Sequence, residues 1–582
     1  MMEVGDRDLN RLVVLFLDCQ TTGANPKNGS VVEIGWARSH ASQGKNTDIT
    51  RVHAHLLRLP VGQDLPARVQ SVTGIRQQDL DAAHEPAEVW NRLLTMAEEI
   101  MRLNRLDWCP LIIHFARFET PFLLDLHDRY SQRNAFPFKM ICTHIMAKRL
   151  FPQLPRRSLR AMAGYFGYSV GESRRCSDHV MATAFLWQSM LGILREKSGI
   201  TTFAQFHQWL DQPMSADVPE RIYPMVDEQR SGLPHKPGVY RMLRSNGDIL
   251  YIGKAKSLRH RVNSYFRRSS QHPEHILEML SQAKQLDITE TESVLEAVIL
   301  ESDEIKRFSP PYNVALRKNE RSVWFCSRDY QEFNTKPDAS CRIGPLPSQE
   351  PMKRLAAIMR LLKTGSEFIW DDESMLKAIG IPEDYAPDKN CMVAGFNMFL
   401  MHHREELFRK PTDQVLKLLG RELWLKREAE KEMRDEDTED FALKSIGLPI
   451  WTPESVCRLL ESNIVQAAYE MRRARWLVLL SESAFAWEEY SNDEAVRFLI
   501  VFEKGQVLYR KKSDGEDVPV PPGHGKMFCE RQRSFDLMTL DRMRVVTTEM
   551  RKLVSNHRWI KLRLGPHNFL EGDSLQKVFK WV

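Results

Sequence analysis

The sequence has little of what marks several protein classes. Its nine cysteines are scattered, and no two stand in C-x-x-C spacing. That excludes the usual structural zinc motifs and a disulfide scaffold, and it fits a reduced, cytoplasmic setting. No stretch approaches the roughly 20 consecutive apolar residues of a bilayer span, so no membrane partner is expected. The apolar run Leu12–Leu17 is short and ends at Asp18; it reads as a strand, not as a signal peptide. Charge of one sign is also scarce: 82 Lys and Arg against 77 Asp and Glu leave +5. Nucleic-acid binding then has to rest on local basic patches. Internal repeats and long low-complexity tracts are absent too, which excludes a solenoid.

What is present is length, and 582 residues exceed any single core, so several domains are expected. Residues 10–195 alternate strand and helix patterns. Val13–Leu17, Ser30–Arg38 and Leu111–Ile113 read as strands, and a helix follows from about Thr120, which indicates an α/β domain. Residues 196–231 read as a linker, with prolines at 213, 219 and 224 and little periodicity. Residues 232–318 form a second, small α/β domain. Residues 319–582 read as mainly helical, with Pro345–Thr364 as a loop entering a helix and a charge-rich helix over Thr412–Leu443. A β-hairpin is expected from Val496–Phe502 and Gln506–Arg510. A basic helix over Asp536–Val554 has Leu540, Met543, Val546 and Met550 as its core side. Its Arg542, Arg544, Arg551 and Lys552 fit a solvated face better than a DNA contact. Pro521–Lys526 lacks the phosphate-loop pattern, since Met527 follows the lysine. His402, His403 and the tryptophans at 370, 424 and 451 read as core or surface residues.

The chemistry concentrates in the small domain. Gly238-Val239-Tyr240 and Tyr251-Ile252-Gly253 each lie in a strand pattern, and Asn246-Gly247-Asp248 between them is a hairpin turn. Ser257 caps a helix from Leu258 to about Phe266, with Leu258, Val262 and Phe266 on its core face. Arg261 and Tyr265 stand one turn apart and can reach one site. Lys254, Lys256, Arg259, Arg261, Arg267 and Arg268 follow each other without an acid, which suits a phosphate backbone. Glu301 shares a helical stripe with Val294, Val298 and Ile305, so a carboxylate is expected on a buried face, compensated by a metal ion or a cation such as Lys306 or Arg261. Glu296 and Glu304 fall off that stripe and read as solvated.

From Leu233 to Arg317 the text, including KPGVYRM and LYIGKAKSLRHRVNSYF, resembles the GIY-YIG endonuclease domain of the UvrC and Cho incision nucleases. The resemblance implies catalytic roles for Tyr240, Tyr251, Lys254, Arg261, Tyr265, Glu301 and Asn313. It implies one divalent ion, Mg2+ or Mn2+, at Glu301. Tyr240 or Tyr251, with Lys254 lowering its pKa, takes a proton from the attacking water; Arg261 stabilises phosphoryl charge; Tyr265 and Asn313 orient neighbours. Which tyrosine acts is left open.

The amino-terminal domain resembles the DnaQ-like DEDD exonucleases, with an RNase H-like fold. Asp18-Cys19-Gln20, Val32-Glu33-Ile34-Gly35, Val72-Thr73-Gly74-Ile75 and His114–Glu119 carry the likeness, with Cys142-Thr143 and Ser158-Leu159 further on. That family holds two metals with four acids and a histidine base. Here Asp18 matches, Gln20 replaces a glutamate and Glu119 an aspartate. Arg174 stands at the histidine position and His179 at the last aspartate. Asp178 lies one residue away, turned by about 100° on a helix. The site reads as degenerate, and the domain as one that docks DNA or a partner.

The expected function is therefore a metal-dependent DNA endonuclease making single-strand incisions, in nucleotide-excision-type repair. DNA and damage-recognition proteins are the expected partners, and a cytoplasmic, nucleoid-associated location follows. The alternatives are a non-catalytic DNA-binding scaffold, a structure-specific nuclease outside repair, and a retained 3′→5′ exonuclease built on Asp18, Glu119 and Asp178.

Overall fold

A computed structural model describes residues 7–39, 51–131, 135–171, 174–214, 220–267, 271–313, 322–364, 373–381, 387–409, 412–432, 451–491, 494–512, 517–556 and 559–579. The chain divides into two compact units. One comprises residues 1–292 and 308–314, the other residues 293–307 and 315–582.

In the first unit, five strands form one sheet in the order β3-β2-β1-β4-β5. They are β1 (Leu15–Thr21), β2 (Val31–Arg38), β3 (His53–Leu56), β4 (Cys109–Ile113) and β5 (Phe138–Cys142). β1 pairs antiparallel with β2 and parallel with β4. Helices α1 (Pro86–Asn104), α2 (Ala116–Tyr130), α3 (Leu159–Tyr165) and α4 (Cys176–Ser198) cover it. A Cβ on Gly35 would stand 2.6 Å from the Cβ of Cys176, so this glycine lets the start of α4 close on β2. That approach brings α4 close to the middle of β1, where Asp18 lies opposite Gly35.

The expected linker is shorter than its sequence indicates. Thr202 and Gln205 form a capping box, and α5 (Phe203–Asp211) follows. Phe203 and Phe206 share a core with Trp187 and Leu194, so residues up to 211 belong to the first domain. Met225 is buried with Leu233 and Tyr240 in the core of the next domain.

That next domain is a three-stranded sheet, order β7-β6-β8: β6 (Gly238–Leu243), β7 (Ile249–Ala255) and β8 (Gln285–Glu290). Gly247 holds the turn with φ +89°, and the Asn246 side chain accepts from the Asp248 N–H at 3.1 Å. The hydroxyl of Ser257 accepts from the His260 N–H and opens α6 (Leu258–Ser264). Then comes α7 (Glu274–Leu280).

The second unit begins with α8 (Val294–Phe308), whose Leu295 and Ile299 pack in one core with Leu477, Phe485, Trp487 and Met543. The 232–318 segment is thus split: α8 packs with the carboxy-terminal part of the chain. A small sheet follows, with β9 (Trp324–Cys326), β10 (Phe333–Asn334) and β11 (Ile343–Leu346), and then helices α9 (Glu350–Thr364), α10 (Lys389–His402), α11 (Thr412–Glu432) and α12 (Pro453–Leu480). The expected hairpin is part of a five-stranded sheet, not an isolated feature of a helical region. Its strands are β12 (Ala484–Ser491), β13 (Glu494–Glu503), β14 (Gln506–Lys512), β15 (Ile560–Arg563) and β16 (Phe569–Glu571), in the order β14-β13-β12-β15-β16. β12 starts with four consecutive buried residues, Ala484 to Trp487, so it lacks the polar alternation that signals a strand. Helix α13 (Leu537–Asn556) buries Leu540, Met543, Val546 and Met550. The end of the charge-rich segment, 433–443, and Trp370 lie outside the described residues.

Candidate active sites

The first site grows from the β6–β7 hairpin. Its register sets Tyr240 opposite Gly253. A Cβ on Gly253 would stand 2.5 Å from Cζ and Oη of Tyr240 and 2.7 Å from Cε1 of Tyr251, so this glycine makes room for two tyrosine rings. A Cβ on Gly238 would meet the Thr289 carbonyl oxygen at 2.3 Å; its absence lets β8 pair alongside. Both glycines of the two tripeptides are therefore dictated by close approach, not by backbone angle.

Three tyrosines meet above Gly253. The ring centroids of Tyr240, Tyr251 and Tyr265 are 6.0, 6.2 and 6.4 Å apart. The Tyr240 and Tyr265 hydroxyls share a hydrogen bond of 3.0 Å, and Arg261 Nη2 donates to Tyr265 Oη at 3.1 Å. Burial, then the neighbouring Tyr265 and Tyr251, push the Tyr240 hydroxyl well above its ordinary pKa, against a smaller pull from Arg261. Tyr240 is fully buried, whereas Tyr251 is half-buried.

Asn313 closes the site from the far end of the domain. Its Oδ1 accepts from the Ile252 N–H at 2.9 Å and its Nδ2 donates to the Ile252 carbonyl at 2.7 Å. The strand residue between Tyr251 and Gly253 is thereby fixed from both sides. Lys254, half-buried, pairs in register with Val239. Lys256, Arg259, Arg261 and Arg267 are exposed, and Arg268 lies outside the described residues.

Glu301 lies on α8, in the second unit, and is half-buried rather than buried. The acid that α8 does bury is Glu296, expected to be solvated: it is 4% exposed and paired with Arg510 at 3.3 Å. The Arg510 partner comes from β14, more than 200 residues on, which the stripe on α8 could not reveal. Lys306 pairs with Asp541 at 3.6 Å and donates to the Met538 carbonyl. Glu304 is half-buried. Arg542 is buried and paired with Asp303 at 2.9 Å, which corrects its placement on a solvated face. His402 and His403 end α10 beside α12: His403 Nε2 is 3.0 Å from Glu461 Oε1, and His402 Nδ1 is 3.8 Å from Cys457 Sγ.

The second site lies on the five-stranded sheet of the first unit. Asp18, at 7% exposure, has both oxygens engaged. Gln20 Nε2 donates to Oδ2 at 2.7 Å, and His179 Nδ1 is 3.1 Å from Oδ1. Burial lowers the His179 pKa, but the charge and hydrogen bond of Asp18 outweigh it and the net shift is upward. Glu119 is buried, and burial together with the Asp18 charge pushes its carboxyl well above the carboxylate range. Glu33 is not free for chemistry either. It accepts from the Arg175 guanidinium at 2.8 to 3.2 Å and from the Cys176 N–H at 3.0 Å. Arg174 and Asp178 are both exposed, and Asp178 faces Gly171 rather than Asp18.

Two residues escaped the sequence reading. Glu278 accepts from Tyr312 Oη at 2.9 Å and from the Ser158 hydroxyl, partners 34 and 120 residues away, so no local pattern could mark it. Tyr312 precedes Asn313 directly, and its neighbourhood was the available signal.

Two protein families match parts of this chain. Residues 236–314 match the UvrC-like GIY-YIG domain family, and residues 15–173 match the exonuclease family. The chain thus carries an exonuclease domain followed by a UvrC-like GIY-YIG domain. The UvrABC system protein C of Psychrobacter arcticus is 40% identical over 136 residues, which are 22% of this chain and 22% of that protein. That of Sphingopyxis alaskensis is 44% identical over 101 residues, covering 17% and 16%. The chain spans only about a fifth of the length of the curated relatives it matches. Among solved structures, the magnesium-bound GIY-YIG amino-terminal endonuclease domain of UvrC from Thermotoga maritima is 34% identical; the match covers 15% of this chain and 93% of that one, with a TM-score of 0.14. The nuclease domain of 3'hExo, a DEDDh family member, is 18% identical, covering 32% and 95%, with a TM-score of 0.27.

Proposed function

We propose that this protein is a metal-dependent DNA endonuclease that makes single-strand incisions in nucleotide-excision-type repair. The observation that carries the reading is the tyrosine cluster on Gly253, hydrogen-bonded through Tyr265 to Arg261. Such an assembly has one guanidinium for phosphoryl charge and phenols for proton transfer.

Tyr251 is the proton acceptor in this reading. Tyr240 is fully buried with its hydroxyl pKa raised, so it serves as a fixed hydrogen-bonding partner. Tyr251 is half-buried and has access to water. Arg261, exposed and donating to Tyr265, meets the scissile phosphate. Lys254, Lys256, Arg259 and Arg267 hold the flanking backbone.

Glu301 is the candidate ligand for Mg2+ or Mn2+. A half-buried carboxylate offers the hard oxygen donor such ions take, and these ions retain several waters when protein ligands are few. A bound divalent ion would supply charge neutralisation at the phosphoryl and leaving 3′ oxygens. Glu301 lies within the matched family segment, 236–314.

The exonuclease domain docks and does not cut. Two cations need several free carboxylates close together. Here Asp18 is occupied by Gln20 and His179, Glu33 by Arg175, and Glu119 is biased towards its neutral form. Damage-recognition proteins of excision repair are the proposed partners, by kinship with the UvrABC relatives.

Nicking of supercoiled and lesion-bearing DNA in Mg2+ tests the reading. Glu301→Gln is expected to abolish cutting while DNA binding stays within a few-fold. Retained nicking would remove the metal role. Asp18-dependent shortening of a labelled strand from its 3′ end by the Glu301→Gln protein would overturn the docking role of the first domain.

A further inference from the structure

The carboxy-terminal unit contains a cavity of about 430 Å3 whose lining is one-sided in charge. Arg342, Lys417, Arg421, Arg472 and Arg475 line it, and no acidic residue among the described residues does so. The whole chain has almost balanced charge, so five cations around one cavity are a local concentration. They come from three places: the approach to β11, α11 and α12. Gly420 makes the last two meet closely, because a Cβ there would stand 2.6 Å from the Ala468 Cβ.

Like charges so close together repel one another. Burial lowers the Arg472 pKa, and the charges of Arg421 and Arg475 lower it further. A bound anion would relieve that repulsion. The remaining lining is of another kind: Ile343, Ala468 and Met471 are apolar, and Phe528, 37% exposed, presents an aromatic ring. Gln532 donates to the Arg342 and Gly344 carbonyls and so holds one wall in place.

We propose that this cavity binds the phosphates of a single DNA strand, with a base stacked on Phe528. Its volume admits a nucleotide or two and no duplex, whose major groove alone is about 12 Å wide. Cations tracking a backbone beside an aromatic face are the general arrangement of single-strand binding. The site lies outside the matched GIY-YIG segment, 236–314, and gives the carboxy-terminal third a role as a holder of displaced strand. The proposal deepens the nuclease reading, yet anion binding here stands without it.

The test is binding of a fluorescent single-stranded oligonucleotide of about 12 nucleotides, measured by anisotropy on the full chain with Glu301→Gln as background, so that nothing is cut. Arg475→Glu and Arg421→Glu change exposed residues, and both are expected to weaken binding at least 10-fold. The slope of log affinity against log salt should flatten by about 0.7 for each phosphate that is no longer neutralised. Arg475→Gln should lie between. Unchanged affinity and slope in all three would overturn the proposal. Deoxyadenosine monophosphate binding as tightly as the strand would overturn it in favour of a free nucleotide site, and loss confined to duplex binding would do so in favour of a duplex-binding face. If the wild-type chain fails to nick but binds strand through Arg475, the nuclease reading falls and this one stands.

Discussion

Ser158 caps α3 in the exonuclease domain and donates the same hydroxyl to Glu278 of the GIY-YIG domain. The contact is one of a set. The Arg156 N–H donates to Ser281 Oγ at 2.8 Å, the Asn246 side chain donates to the Gly167 carbonyl, and Lys284 sits 4.1 Å over the Tyr165 ring. The exonuclease domain and the three-stranded part of the GIY-YIG domain, both in the first unit, are therefore packed together. Glu278 also accepts from Tyr312, whose neighbour Asn313 clamps Ile252, so the seam between the domains reaches the tyrosine cluster through two consecutive residues.

Removing the Glu278 acceptor should be felt in both domains. Glu278→Ala leaves the buried Tyr312 hydroxyl and the Ser158 hydroxyl short of a partner, at a cost of about 1–3 kcal/mol. Glu278→Gln keeps an acceptor oxygen and should lose less. Urea denaturation followed by proteolysis of the segment after α5 gives the ranking. Equal damage from both variants would show that charge, not the hydrogen bond, holds the seam.

Gly253→Ala tests the close approach beneath the tyrosines. The added methyl has nowhere to go, since Tyr240 belongs to a buried strand and its hydroxyl is tied to Tyr265. A displacement of about 1 Å at a catalytic group is worth roughly 100-fold in rate, and that is the expected loss of nicking. Gly232→Ala, where an added Cβ meets nothing within 4 Å, is the control and should cut normally.

The His179–Asp18 pair predicts a pH dependence with a definite sign. The folded His179 pKa lies above its ordinary 6.5. The stability it adds is complete below about 6.5, the unfolded value, and is lost as pH rises through the folded value. Asp18→Asn removes the raising influence and leaves burial, so the His179 pKa should fall below 6.5. Titration of labelled histidine by NMR reads both values. A wild-type pKa at or below 6.5 would contradict the pairing.

The sequence was legible where chemistry repeats locally. The β6–β7 hairpin announces itself through Asn246-Gly247-Asp248, and Ser257 through its capping position, since both depend on neighbours within a few residues. The mismatches at Gln20, His179 and Arg174 could be aligned against a family pattern for the same reason. The burial of Glu296 could not be seen, because its cation comes from β14, and neither could the burial of Arg542, because Asp303 lies 239 residues away. β12 was missed because a strand buried on both faces loses the alternation that identifies it. Long-range electrostatics and double burial leave no periodic trace.

Arg542 and Lys552 make opposite predictions although both lie on α13. Lys552 pairs with Glu549 on its own helix and is 63% exposed, so Lys552→Ala should change stability by less than about 0.5 kcal/mol. Arg542 is buried, donates to the Gly505 carbonyl at 3.1 Å and pairs with Asp303 on α8. Arg542→Met leaves a carboxylate and a carbonyl without their donor and should cost about 1–3 kcal/mol. Asp303 shares α8 with Glu301, so in the proposed mechanism the loosened helix also misplaces the metal-binding carboxylate. Nicking should then fall about 10-fold or more while DNA binding is kept. Raising Mn2+ should recover part of the loss in Arg542→Met and none in Glu301→Gln. If Arg542→Met destabilises the chain yet cuts at the wild-type rate, the grip of the carboxy-terminal unit on α8 serves the fold alone.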